Sequence, residues 1–379
     1  MDSNVDEILT RGRESGPLVL GAFVSLLLFL FAVQLLGAST AAAAAPLERF
    51  FRRYVAGSGQ ALGASWLATY VLTNGSVVAA LSVSLFKTGI LTAAQLFLML
   101  AGSRLGGAAI VLLIGMLDYF QKRRYSFGES TRLGILTFLL SHSIYLPATV
   151  IGYLLLPGLQ SGFESVSTRI ELSFAPLAVF NPVTGAIVDT VGVGLALVMA
   201  ILVLFGSLTL FDRVLKGINT EWLRKRFFRR FQHKWTSFGL GILITGATTS
   251  VAFSLGVVVP LYNRNYIKRQ EIVPYVLGAN IGTFFDTIVI AVLLESPQGV
   301  AIVLSLAVLG TIVTTGAMVR FSTFSRIDET VQTRLVTSVN PRALVRGGCQ
   351  VLTPPADRAV LLRSCRRASD SRTRAASVL

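Results

Sequence analysis

The chain states one plan twice, and that duplication restricts its architecture more than any other feature. Arg49-Phe50-Phe51-Arg52-Arg53 recurs as Arg226-Phe227-Phe228-Arg229-Arg230. After each pentapeptide come an apolar stretch, a small-polar cluster and a second apolar stretch that carries glycines. The last reads Gly102-Ser103-Arg104-Leu105-Gly106-Gly107 in the first copy and Gly278-Ala279-Asn280-Ile281-Gly282-Thr283 in the second. The separation from Arg53 to Gly102 matches that from Arg230 to Gly278 to within one residue, a register that a chance basic pentapeptide would not keep.

The apolar stretches decide the solvent. Of 379 residues 53% are hydrophobic and only 14% charged, and the mean hydropathy is +0.67. These values lie outside the soluble globular range and predict an all-α polytopic membrane protein. A net charge of +15 and a pI near 10.5 raise nucleic acid as a partner. However, the basic residues sit in short loops and in the tail, without interleaved aromatics, as positive-inside topology requires. Cys349 and Cys365 both lie in the Arg-rich tail, so neither a disulfide framework nor a metal knuckle is implied.

Residues 1–16 read as a polar cytoplasmic segment and Pro17 to Ala38 as the first span, at about 20 apolar residues per crossing. The alternative, a cleaved signal peptide ending near Ala38-Ser39-Thr40, is opposed by Asp2, Asp6, Glu7 and Glu14 in its leader. Residues 46–56 form a short amphipathic basic segment at the interface, with Phe50 and Phe51 facing inward. Ala61 to Phe86 is interrupted by Thr73-Asn74-Gly75-Ser76 and reads as two half-helices that dip in and return. The competing reading is a continuous helix that tolerates Gly75. Spans at Thr88 to Leu117 and Leu133 to Leu156 complete a first repeat over 17–158. An extracytoplasmic loop follows at 159–183. The second repeat, 184–320, carries a span at 184–211, a basic connection at 212–235, a broken hairpin at 236–262 and spans at 272–294 and 298–319. Residues 321–379 are a basic cytoplasmic tail, expected to be largely disordered after about Asn340.

Three crossings per repeat are an odd number, so the copies are predicted to be inverted. The Lys/Arg count places both termini in the cytoplasm, with the arginines at 49, 52 and 53 the exception. Inversion brings the polar breaks together near the midplane of the cell membrane, where transporters bind cargo. Half-helix N-termini offer amide donors and a positive dipole end to an oxyanion, and hydroxyls and carbonyls suit sodium. Thr73, Asn74 and Ser76 are the first cluster, and Thr248, Thr249 and Ser250 the second. The glycine-broken hexapeptide also has a plainer reading, in which small residues simply let two helices approach.

These residues resemble the type II sodium-dependent phosphate cotransporters, whose repeats each carry a glutamine and three serines followed at fixed distance by GANIGT. The hexapeptide at 278–283 matches that element completely. The resemblance spans roughly residues 20–320. It implies a secondary transporter that couples sodium movement to phosphate uptake, with Gly278, Asn280, Gly282 and Thr283 toward sodium and Thr73, Asn74, Ser76, Thr249 and Ser250 toward the oxyanion; Asp286 joins the sodium candidates and Arg104 the oxyanion candidates on their charge alone. Both glutamines are missing, their places held by Thr73 and Thr249, and GANIGT has become GSRLGG in the first copy.

Arg104 therefore stands where asparagine is expected, at a cost of ~2.5–3.5 kcal/mol for an arginine at membrane depth. One reading brings it to Asp286, with Arg104 taking a cation position and Asp286 neutralising it or binding sodium. Alternatives are a direct bidentate contact with the oxyanion and snorkelling to the interface. His142, flanked by Ser141 and Ser143, is either a proton relay or a structural histidine. No nucleophile with a base, phosphate loop or metal spacing is present, so neither an enzyme nor an organic cofactor is expected. The function classes that follow are a sodium-coupled symporter for phosphate or a related oxyanion, a proton-coupled anion transporter using His142 or Asp286, and a transport-inactive membrane scaffold that keeps the fold.

Overall fold

The apolar runs become helices because in lipid a helix satisfies its own backbone. The computed structural model describes residues 2–122, 127–169, 179–216, 233–249, 251, 254, 269–326, 330 and 331. Within them five stretches are long and apolar enough to cross a membrane: Pro17–Ala42, Gly134–Gly158, Val193–Leu215, Glu271–Leu293 and Pro297–Val319. The helices are α1 (Asp2–Ala42), α2 (Ala44–Tyr54), α3 (Ser58–Leu72), α4 (Gly75–Lys87), α5 (Ala93–Lys122) and α6 (Phe127–Arg169). They continue with α7 (Asn181–Val191), α8 (Val193–Lys216), α9 (Lys234–Thr248), α10 (Arg269–Gly282), α11 (Phe284–Leu293) and α12 (Pro297–Val319). Every regular element among the described residues is a helix, as an all-α polytopic membrane protein requires.

The interrupted stretch in the first copy is a helical hairpin. Gly102 and Gly106 of α5 lie against Leu62, Ser65, Trp66 and Thr69 of α3, in rising order on both helices, so α3 runs parallel to α5. Gly75, the first residue of α4, lies against the carbonyl of Ser103. From there α4 runs back to a tight turn, with Gly89 N–H on Phe86 O at 2.9 Å and Ile90 N–H on Leu85 O at 3.0 Å, that leads into α5. The hairpin ends where it began, since Gln95 at the start of α5 donates to Val55 O just ahead of α3, at 2.8 Å. At 15 and 13 residues its arms are about 22 and 20 Å long, too short to cross a core of ~30 Å.

The second copy repeats the parallel contact between the outer helices. Gly278 of α10 lies against Phe238 and Ile242 of α9, and Gly282 against Ile242, Thr245 and Gly246. Six pairs, Ser58 and Lys234, Leu62 and Phe238, Thr69 and Thr245, Thr73 and Thr249, Gly102 and Gly278, Gly106 and Gly282, share one separation in sequence. Thr73 ends α3 at φ 50°, ψ 21° and Thr249 ends α9 at φ 50°, ψ 17°. A β-branched residue in the left-handed region costs of order 1–3 kcal/mol, and here that cost is met twice at the same place. The first spans of the two copies, α1 and α8, also pack together. Gly21 lies against Val214 at the far end of α8, and Ala32, Leu35 and Leu36 share one core with Ala196, Ala200 and Leu204, so the pair is antiparallel.

Several boundaries differ from the sequence reading. The hexapeptide does not break its helix: α10 continues through Gly282 and the interruption is the single residue Thr283. Its glycines serve close approach, because a methyl at Gly278 would run into Phe238 O and come within 3.0 Å of Ile242 N. The expected span at 184–211 is two helices, since Gly192 at φ 87° separates α7 from α8, a dihedral that hydropathy does not register. Pro157-Gly158 does not end α6, which runs to Arg169 into the predicted loop, because proline removes only one backbone donor. Likewise α1 starts at Asp2 and takes in Pro17. On α2, Phe51 packs against the core while Phe50 is exposed and lies tilted against Tyr54 with centroids 5.0 Å apart. The second basic pentapeptide, Ser250, most of the return arm of the second hairpin and the tail beyond residue 331 lie outside the described residues.

Candidate functional site

The tip of the first hairpin is built by its own sequence. Asn74, in extended conformation, turns its side chain onto the start of α4, where Oδ1 accepts from the amides of Ser76 at 2.9 Å and Val77 at 3.2 Å. These two amides are therefore capped and not free as expected from the sequence, and the helix start contributes its positive dipole end. Asn74→Ala is expected to remove about 1 kcal/mol of stability and to loosen Ser76, read as a lower melting temperature in detergent.

Ser76 meets the second copy here. Its hydroxyl donates to Asp286 Oδ2, and the other carboxylate oxygen accepts from Thr287 Oγ1 at 2.8 Å. Arg104, between the two contact glycines of α5, donates through Nη2 to Thr287 Oγ1 and lies 3.5 Å from Asp286 Oδ1. Its guanidinium carbon is 4.9 Å from the centre of the Phe284 ring, a cation–π contact in a dry setting. Arg104 is 8% exposed and Asp286 3%, so Arg104 does not snorkel. Such a pair compensates its desolvation only when the remaining valences are met. Among the described residues Arg104 Nε is a buried donor with no acceptor.

A second set of bonds ties the hexapeptide to α6. Asn280 Nδ2 donates to Ser141 Oγ at 2.8 Å, and the Asn280 carbonyl accepts from Tyr145 Oη at 2.7 Å and from Thr283 Oγ1 at 2.5 Å. The Tyr145 ring packs edge-on to Phe284 with centroids 5.9 Å apart, which links this cluster to Arg104. His142 turns away: Nδ1 is 2.7 Å from Phe138 O, and its ring lies between Phe138 and Trp66, with centroids 3.8 and 5.4 Å away.

Of the candidates read from the sequence, the structure gathers Asn74, Ser76, Arg104 and Asp286 at one point, with Asn280 and Thr283 beside them through Tyr145 and Phe284. Gly278 and Gly282 sit in the α9–α10 contact. Thr73 is exposed and Thr249 half-buried at its own hairpin tip; among the described residues neither is bonded into the cluster. Thr287, Phe284, Tyr145 and Ser141 were missed. Thr287 has a signal, a hydroxyl beside a carboxylate in an apolar run, and Ser141 has one as a neighbour of His142, whereas Tyr145 has none.

A helical membrane protein in which the tip of a broken hairpin meets α11 at a buried, charged polar centre has the build of a transporter. Residues 202–332 match the family model described as Na+/Pi-cotransporter. The match includes α9 to α12 with the hexapeptide and Asp286, so the resemblance read from the residues is borne out there. No curated protein and no solved structure matches the chain.

Proposed function

We propose that this protein is a secondary active transporter that carries inorganic phosphate, or a related oxyanion, across the cell membrane together with sodium by alternating access. The observation that carries this reading is the Arg104 guanidinium, buried where the first hairpin tip meets α11 and holding one N–H without an acceptor among the described residues. A buried cation with a free donor, next to a helix N-terminus and the Ser76 hydroxyl, suits an oxyanion. Thr73, Asn74 and Ser76 stand on the first side of this place, and Thr249 and Ser250 are assigned to the second.

Sodium is assigned to the oxygens around Gly278, Asn280, Gly282 and Thr283, where the Asn280 carbonyl and the Thr283 hydroxyl converge. Asp286 neutralises Arg104 in the empty carrier. The antiparallel pairing of α1 with α8 supports an inverted arrangement of the repeats at 17–158 and 184–320, with both termini cytoplasmic. The first hairpin, which returns to its own end, supports re-entrance from the membrane surface.

In proteoliposomes an imposed inward sodium gradient is expected to drive accumulation of labelled phosphate well above the level reached with potassium. Equal uptake in both salts, or none for phosphate, arsenate and sulfate alike, overturns the reading. Uptake driven by a pH jump without sodium moves the coupling to protons.

A further inference from the structure

We propose that Arg104 is a tethered cation for Asp286, standing where a free sodium ion would otherwise neutralise that carboxylate, so that the carrier binds one sodium ion fewer than it would with an uncharged residue at position 104. This rests on the transport reading above and specifies its coupling. Arg104 holds in the first unit the place that Asn280 holds in the second, two residues past the contact glycine in each. An asparagine there in the second unit is neutral and bonds to Ser141. The arginine reaches instead across to Asp286 and Thr287 of the other unit.

With the guanidinium removed, what remains is an all-oxygen set: both carboxylate oxygens of Asp286, the Ser76 hydroxyl on one of them and the Thr287 hydroxyl on the other. Oxygen ligands around one negative charge are what a hard cation prefers. A carboxylate this deeply buried does not stay charged and unpaired, because the desolvation penalty amounts to several kcal/mol. Some cation must therefore accompany it. In this chain that cation is covalently attached, does not exchange with solvent and is not transported.

Saturation binding of radiolabelled sodium to the purified full-length protein, with potassium keeping the ionic strength constant, tests the idea without requiring transport. Arg104→Asn is expected to bind one more sodium ion per chain than the unmodified protein, and the Arg104→Asn/Asp286→Asn double variant to lose that ion again. The first variant should also melt about 2–4 °C higher in sodium than in potassium, beyond any difference the unmodified protein shows.

Equal sodium counts in Arg104→Asn and the unmodified protein overturn the proposal, since Asp286 has then taken a proton or other compensation. Should Arg104→Asn fold only in sodium, the proposal is supported. Should it fail in both salts while the double variant folds, the proposal fails. An independent check keeps the arginine: Asp286→Asn is expected to leave the sodium count unchanged, and loss of one bound ion shows that Asp286 already holds sodium. A chain that drives no sodium-dependent phosphate uptake but still gains an ion in Arg104→Asn refutes the transport reading and leaves this inference standing.

Discussion

Asp286→Ala is expected to cost about 3–5 kcal/mol of stability and to abolish phosphate accumulation. The substitution removes the partner of a guanidinium that is 8% exposed, and it strips the Ser76 hydroxyl of its acceptor. What remains is a buried, uncompensated positive charge, the expensive half of a broken ion pair, whereas the intact pair is close to neutral in net worth. That asymmetry makes a second outcome predictable. Arg104→Met combined with Asp286→Leu removes both charges and fills their volume, so the double variant is expected to melt within a few degrees of the unmodified protein and well above Asp286→Ala. Thermal unfolding in detergent reads the cycle. If Asp286→Ala melts with the unmodified protein, the pair does not hold the two units together as described.

Gly278→Ala is expected to be nearly as damaging, for a reason unrelated to charge. Its methyl would be driven into the Phe238 carbonyl, with Phe238 C at 2.9 Å and Ile242 N at 3.0 Å. These are backbone atoms of α9, which cannot swing aside as a flexible side chain can. The cost is expected at the top of the ~1–3 kcal/mol range for overpacking or beyond it. Gly107, in the matching segment of the first copy, has nothing among the described residues within 4 Å of an added methyl. Gly107→Ala is therefore expected to be neutral, or stabilising by up to ~1 kcal/mol through helix propensity. Folded yield and melting temperature of the two variants should diverge sharply. Equal behaviour would mean that α9 and α10 do not approach as closely as their glycines indicate.

Much of this build was legible in the residues. The hairpin tip at 73–76 was readable because Asn and Gly each act locally: Asn74 caps the helix that Gly75 begins, within three residues. The matching break at Thr249 followed from the duplication. The hexapeptide is legible as a motif, but its backbone is a continuous helix through Gly282 and not the break its glycines suggest. Glycine in an apolar run signals either a break or a close contact, and only the position of Phe238 O opposite Gly278 decides between them. The end of α6 and the split at Gly192 were missed because proline and glycine permit a change of direction without requiring one.

The sequence by itself determined that the chain lives in a bilayer, that its plan is written twice, and that charge at positions 104 and 286 needs a reason. Hydrophobicity, periodicity and the cost of a buried charge are properties of residue types and are present before any fold exists. Only the tertiary structure decided which partner each polar group found: Arg104 with Thr287 and Asp286, Ser76 with Asp286, Asn280 with Ser141 and Tyr145. Those contacts join residues more than a hundred positions apart. They depend on how helices cross at a few ångströms' separation, a geometry that no local preference of the chain encodes.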